Sequence, residues 1–596
     1  MQMQMQSVNG LQKDKKGSIK HKQNFIEGAV ILTIGMLLVK IVGALFKIPL
    51  ANIITENGMG YFGTAYAFYS VVYSLATAGF PIAVARMVAE NYSLKRYNDI
   101  RKIRRVSFPV FLIMGIIGTL CMVIGAPLYT KAVGNSGAFL SMAVLSPSII
   151  FCCLSSVYRG YYEGLSNMLP TAVSQITESL SKLLLGLSAA LCTVYFLNGE
   201  FAQYGTVLGE ALSASDAALK VYSLAAAASI SGVTLGSFFS FLYLFIYHKR
   251  KGDGITKEMY RMSPMPHKSK SVAKKLLLTA IPIGIGALAM SIATLIDSTL
   301  LQNKLGEIMA ADPATVLQMY EGLIPKENLS DVSTIPNFLW GCYSNAMTVF
   351  MLVGSVTQAI GISALPGLTE AYTKKNKAQI KKNVESVLRV TGLFCIPAGV
   401  GICVLSEPIA KFIYGSTSGS NITAKILVVL GIAAIFAALT TPITSMLQAV
   451  GRMEIPVIFI VSSLVIKVLI NYFVCSIPEI NILGAGTGTL ICYLFVTVAE
   501  LIAIKKVTKA NVSVKDAMLR PFIAALFCGA AAYLMSNLIK NIGLDIKLNC
   551  VLSIVFAVII YAVSVLLLKA VTKDEILMLP KGEKISKILE KHGWIR

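Results

Sequence analysis

Two lysines inside an apolar run pose the chemical question. Lys40 and Lys47 interrupt GAVILTIGMLLVKIVGALFKIPL, residues 28 to 50. Their spacing of seven is close to two helical turns, so both lie on one face with Gly43 and Ala44. At about 1.5 Å per residue the run reaches roughly 35 Å, enough to cross a hydrocarbon core of about 30 Å. A charge at the centre of a bilayer costs about 3 kcal/mol, so such residues face a wet cavity or a partner within a bundle. Ammonium groups held there attract anions. The plainer alternative is snorkelling to the headgroups, which suits Lys47, nearer the end of the run, better than Lys40.

Other ionisable residues stand in apolar surroundings. Arg86 adds a cation near the end of the second run. Asp297, in SIATLIDSTLL, is expected to face the first-run lysines or to hold an ion or proton. A fixed salt bridge is the structural alternative. Lys182 follows Glu178 by four residues, a spacing at which the two neutralise each other on one helix face. Lys467 has no acid at helical spacing, only Asn471, and is expected to be the more open of the two to a cavity. Arg159 and Glu163 form an i, i+4 pair expected to act as a gate or loop anchor. Gln175, Asn345 and Gln358 are candidate cavity amides, and Pro81, Pro282, Pro366 and Pro442 are expected to kink their helices.

What positions these residues is an all-α, polytopic membrane architecture. Of 596 residues 55% are hydrophobic and 14% charged, and apolar runs of membrane length recur along the whole chain. Fourteen spans are expected, the first at 28 to 50, the second at 62 to 89 and the last at 548 to 569. The polar, basic start, MQMQMQSVNGLQKDKKGSIKHKQ, is not expected to be a cleavable signal. With both termini cytoplasmic in a plasma membrane, most of the 53 Lys and Arg fall in cytoplasmic loops, as the positive-inside rule requires. The net charge of +23 therefore reflects topology and anionic membrane lipids, not nucleic acid. Eleven cysteines, lying almost entirely in apolar runs, lack zinc-site spacing, and the four histidines all lie in expected cytoplasmic segments. With no Walker loop, HExxH or nucleophile elbow, the chain is expected to be no enzyme and to hold no metal or cofactor, a coupling ion aside.

The chain also repeats itself. AGFPIAVARMVAENYSLKRYNDIRKI (78 to 103) aligns with QAIGISALPGLTEAYTKKNKAQIKKN (358 to 383), matching Glu90 to Glu370. APLYTKAVG (126 to 134) aligns with EPIAKFIYG (407 to 415), and RGYYEGLSNMLP (159 to 170) with SMLQAVGRMEIP (445 to 456). Six is an even number of crossings, so the copies share one orientation about an axis along the membrane normal, with a transport site between them. The expected division is a cytoplasmic tail (1–27), an N-lobe of six spans (28–247), a basic linker (248–275), a C-lobe of six (276–504), two further spans (505–570) and a cytoplasmic tail (571–596).

GFPIAVARMVAE, its counterpart LPGLTEAY, the Lys-x-x-Gly-x-x-x-Lys face of the first span and the count of fourteen together resemble the multidrug/oligosaccharidyl-lipid/polysaccharide (MOP) exporter superfamily. Within it the chain looks most like the polysaccharide-transporter branch that contains the lipid II flippases and stage V sporulation protein B. The resemblance implies two rocking lobes around a central cavity. The implied cargo is a polyprenyl-pyrophosphate-linked saccharide for cell-wall or surface polysaccharide, moved from inner to outer leaflet, with sporulation and cell-wall synthesis proteins as possible context. Basic first-helix residues serve such cargo in lipid II flippases; Lys40 matches them directly, Lys47 with a one-residue shift and as Lys in place of Arg. A cation-coupled drug exporter of the same fold is the alternative, and a membrane glycosyltransferase or polymerase a more distant one.

Overall fold

The computed structural model describes residues 25–77 and 79–572. The expected cytoplasmic tails fall almost wholly outside these residues. The chain is helical nearly throughout, as a sequence must be whose backbone groups face hydrocarbon and have to be satisfied within each segment. Its helices are α1 (Phe25–Thr77), α2 (Phe80–Ser93), α3 (Tyr97–Ala132), α4 (Phe139–Leu145), α5 (Ser148–Gly164), α6 (Leu169–Ser181), α7 (Leu187–Tyr204) and α8 (Ala214–Lys251). After the linker come α9 (Lys257–Met262), α10 (Ser269–Ala311), α11 (Pro313–Met319), α12 (Lys326–Ser330), α13 (Ile335–Thr373) and α14 (Lys377–Val404). The chain continues through α15 (Ser406–Tyr414), α16 (Ser418–Ala449), α17 (Glu454–Val474), α18 (Gly484–Thr508), α19 (Val514–Ile542) and α20 (Ile546–Leu567). A two-stranded hairpin, Thr206–Val207 against Glu210–Ala211, sits between α7 and α8.

The separation expected between the first two spans is not a loop. Residues 51–61 are helical apart from Thr55, whose φ of 58° is costly for a β-branched residue. The chain folds back there: the rings of Phe46 and Phe62 are 6.2 Å apart, where a straight helix would separate residues this far apart in sequence by about 24 Å. Twelve helical stretches among the described residues are long and apolar enough to cross a membrane. The first of them, Ile34–Ser93, contains the reversal at Thr55, and α10, with 43 residues, is a further long helix. Fourteen spans do not conflict with this layout. Pro442 lies within α16 as expected, whereas Pro81 stands in the first turn of α2 and starts a helix, where its missing N–H is harmless.

The repeat is visible in the backbone. Lys95 and Lys375 both have positive φ, and each follows the same bonding pattern, Leu94 and Lys374 N–H donating to the carbonyls of Glu90 and Glu370, Lys95 and Lys375 to Tyr92 and Tyr372. Ser166 and Gly451 likewise both have positive φ, as do Gly134 and Gly415. Helices α1 to α8 pack on one another, α13 packs on α14 and α16, α16 on α18, and α19 and α20 lie against α14 and α15. The basic linker is tied down: Asp99 accepts from the backbone N–H of His267 at 2.7 Å, and the Asn98 amide donates to the carbonyls of Tyr260 and Ser263, both at 3.1 Å.

Candidate functional site

The two repeats meet at both ends of the bundle. At the Thr55 end the returning limb of α1 lies backbone to backbone against α13. A Cβ on Gly341 would stand 1.9 Å from the Glu56 carbonyl oxygen, so only glycine permits this approach. Around the contact a buried amide network crosses between the repeats. Asn135 Nδ2 donates to Gln302 Oε1 (2.9 Å) and Asn337 Oδ1 (2.8 Å), Gln302 Nε2 to Thr64 Oγ1 (3.0 Å), and Asn57 Nδ2 to Asn328 Oδ1 (2.8 Å). Every one of these polar groups would cost free energy if left dry and unpaired, so the network fixes the closed register.

At the opposite end α2 and α10 close the gap. A Cβ on Gly79 would meet the Ala280 carbonyl oxygen at 1.9 Å. Eleven residues beyond Gly79, Glu90 takes Lys275 Nζ on both carboxylate oxygens, at 2.8 and 2.9 Å. Between the ends, Ser74 and Ser291 bridge the repeats through their hydroxyls at 2.5 Å, and Tyr129 donates to Ser298 at 3.2 Å.

Most of the expected charged residues fall into two groups between these ends, Lys40 itself being exposed. On the N-terminal side, Lys40 and Lys47 stand about 22 and 12 Å along α1 from the turn at Thr55, at 1.5 Å per residue. Lys40 Nζ donates to Gln358 Oε1 of α13 at 2.5 Å, across the boundary between repeats. Lys182 does not pair with Glu178. Its ammonium lies 4.7 Å from the centroid of the Phe46 ring and 5.2 Å from that of Tyr66, and donates to the Tyr66 hydroxyl at 3.3 Å. Two aromatic faces thus stand where a carboxylate was expected. Glu178 is taken instead by Arg159, whose Nη2 donates to Glu178 Oε2 and to Ser240 Oγ, both at 2.8 Å, while Nε donates to Ser174 Oγ at 3.0 Å. The expected Arg159–Glu163 pair does not form, because neighbouring helices offer the planar guanidinium fork more acceptors than its own helix does. Lys182 lies within the electrostatic reach of Lys47, half-buried beside Phe46, and also of Glu178. With Glu178 neutralised by Arg159, neither lysine has a carboxylate partner among the described residues. Arg86 is exposed on α2, apart from this group.

On the C-terminal side Asp297 of α10 pairs with Lys467 of α17, and Asn471 Nδ2 donates to the other carboxylate oxygen at 3.2 Å. Asp297 and Lys467 are each 8% exposed. Asp297 therefore does not reach the first-span lysines, and Lys467 is not an uncommitted cavity cation: a buried charge takes the nearest opposite charge, and here both belong to one repeat. The net effect is a C-terminal side that is locally neutral and an N-terminal side with positive charge in excess. Sequence reasoning passed over the amide network; its members share no spacing, and only their common place at helix ends near Thr55 groups them.

Residues 25–371, more than half the chain, match the family model described as polysaccharide biosynthesis protein, and residues 340–473 match MatE. Lipid II flippase MurJ of Bacillus subtilis (strain 168) is 25% identical over 496 residues, 81% of this chain and 82% of that protein. Stage V sporulation protein B of the same organism is 22% identical over 563 residues, 94% of this chain and 98% of the relative. The fold is shared with a structure of lipid II flippase MurJ in an inward closed conformation, with a TM-score of 0.59 at 14% identity, covering 90% of this chain and 98% of that one. An inward-facing multidrug resistance MATE family transporter has a TM-score of 0.58, also at 14% identity, covering 81% and 100%. The chain is thus a multi-pass membrane protein of the polysaccharide biosynthesis protein family, in the polysaccharide-transporter branch of the MOP exporter superfamily.

Proposed function

We propose that this protein is a flippase, not an enzyme, and that it carries a lipid-linked saccharide with a phosphorylated headgroup from the inner to the outer leaflet. The observation that carries the reading is the pair Lys47 and Lys182, two neighbouring lysines that form no salt bridge among the described residues, the nearby Glu178 carboxylate being ion-paired to Arg159. Like charges held together in a low-dielectric interior repel each other, and an anion placed between them removes that cost. A phosphate or pyrophosphate has the charge to do this, and Lys binds it as a point charge. The lipid tail stays in hydrocarbon while the headgroup, which cannot cross it, occupies the space between the repeats.

Transport then consists of opening the two closures in alternation. Loading requires the Glu90–Lys275 end to open, which the basic loops place on the cytoplasmic side; release requires separation of α1 from α13 near Thr55. An outward step by an anion is favoured in an inside-negative cell by about 2.3 kcal/mol per charge per 100 mV. The excess of positive charge supports an anionic cargo over the cationic drugs of a multidrug exporter.

The test is reconstitution in vesicles. Lipid II and undecaprenyl-linked glycans are supplied separately and their exposure at the opposite leaflet is scored. Movement of at least one of them, lost in Lys40→Ala, Lys47→Ala and Lys182→Ala proteins that remain folded, is the expected result. Wild-type rates in all three variants would refute the site.

A further inference from the structure

The seam between α16 and α18 holds an acid that the passage does not use. Glu500, on α18, is fully buried at 0% exposure. Its Oε1 accepts a hydrogen bond from Thr444 Oγ1 of α16 at 2.7 Å, while Oε2 is buried with no hydrogen-bond partner. One turn away the same two helices are joined by Thr440 and Thr497, whose hydroxyls are 3.0 Å apart. Pro442 lies between Thr440 and Thr444, and because it has no N–H the α16 ladder is already interrupted at this level.

Among the described residues no ion pair to the carboxyl is formed. Towards α18 the α16 helix presents Thr440 and Thr444. The charged residues of α17 are Glu454, joined to Arg452 at 3.3 Å, and Lys467, joined to Asp297. On α18 itself, Lys505 and Lys506 are exposed in the last turn. An ionised carboxylate with one hydroxyl donor and one dry oxygen would carry the desolvation penalty of a buried charge. A neutral carboxylic acid avoids it.

We propose that Glu500 is a proton-binding site of the C-terminal half, loaded in the closed arrangement and released to water only when the α16–α18 seam opens. On release the O–H bond breaks, its electron pair stays on the carboxylate and the proton passes to water; reclosure requires a proton to return. The cycle thereby binds and releases one proton, and the kinked segment around Pro442 is the element whose packing depends on it.

The experiment is infrared spectroscopy of the full chain in vesicles at neutral pH, comparing wild type with Glu500→Gln and Glu500→Asp. The expected result is a protonated-carboxyl C=O band that is present in wild type, missing in Glu500→Gln and shifted in Glu500→Asp. The difference between variants separates Glu500 from Glu56, which is also buried. Absence of the band in wild type, or its persistence unchanged in Glu500→Gln, overturns the proposal. If Glu500→Gln does not fold, the Glu500→Asp shift decides alone: an unshifted band overturns it. A band that disappears on addition of sodium at constant pH would identify a metal-cation site and would also overturn it.

Discussion

Lys467 of α17 and Asp297 of α10 form a buried ion pair, steadied by Asn471, across 170 residues of sequence. Burying both charges is expensive, and the pair repays this only while both partners are present. Lys467→Ala, which strands the carboxylate, should destabilise the protein by about 3 to 5 kcal/mol. The double variant Lys467→Met, Asp297→Leu, an apolar pair of similar bulk, should recover most of that loss. Thermal unfolding in detergent of the two single variants and the double variant measures the coupling. Additive losses would mean that the pair does not act as a unit.

Lys47 and Lys182 should behave in the opposite way. Removing one of two uncompensated like charges relieves repulsion, so Lys47→Gln and Lys182→Gln should melt no lower than wild type while each lowers transport at least about tenfold, equivalent to roughly 1.4 kcal/mol of lost anion binding. Phe46→Leu removes one aromatic face from Lys182 and should lower transport less, since a cation–π contact is worth about 0.5 to 2 kcal/mol. Melting temperature and initial transport rate, taken on the same preparations, separate a binding role from a structural one.

Much of this organisation is legible in the sequence, and where it fails the reason is spatial. The apolar runs are long and the loops basic, so the helical bundle follows from length and charge alone. The repeat is found from Glu90 and Glu370 because turns need particular residues wherever they occur, and Lys95 and Lys375 do share one unusual backbone state. Pairings are different. Helical spacing nominates Lys182 for Glu178 and Glu163 for Arg159, yet Arg159 reaches across from α5 to α6 and Lys182 turns to two rings on α1. Such choices depend on which helices are neighbours, and i, i+4 pairs worth a few tenths of a kcal/mol cannot compete with a multidentate guanidinium site. A reversal between the first two spans is expected from the separate apolar runs at 28–50 and 62–89; its form is not, because the chain turns at the single residue Thr55 inside otherwise helical backbone.

The glycine contacts should control which end opens. Gly341→Val places carbon where the Glu56 carbonyl oxygen now lies, so closure at the Thr55 end should fail. Gly79→Val should do the same at the Glu90 end, against Ala280. In a cysteine-free background, a thiol introduced by Gln302→Cys should react faster with a membrane-impermeant reagent when combined with Gly341→Val and not when combined with Gly79→Val. Equal rates in both combinations would show that these approaches do not set the conformation.

The Glu90–Lys275 bridge joins α2 to α10 at the expected cytoplasmic end, yet both side chains are about half exposed, so its strength is limited by solvent. Pairs of this kind contribute about 0 to 1 kcal/mol, which bounds the change in the open-to-closed ratio at about fivefold. Glu90→Lys should therefore raise thiol reactivity of Ser291→Cys from the cytoplasmic side by no more than that, and Lys275→Glu added to it should restore the parent value by exchanging the charges. Raising the salt concentration should shrink the effect, since exposed pairs are screened over about 10 Å at 0.1 M. A change far larger than fivefold, or one indifferent to salt, would mean that Glu90 acts through some contact other than Lys275, and the bridge would lose its place as the latch of that end.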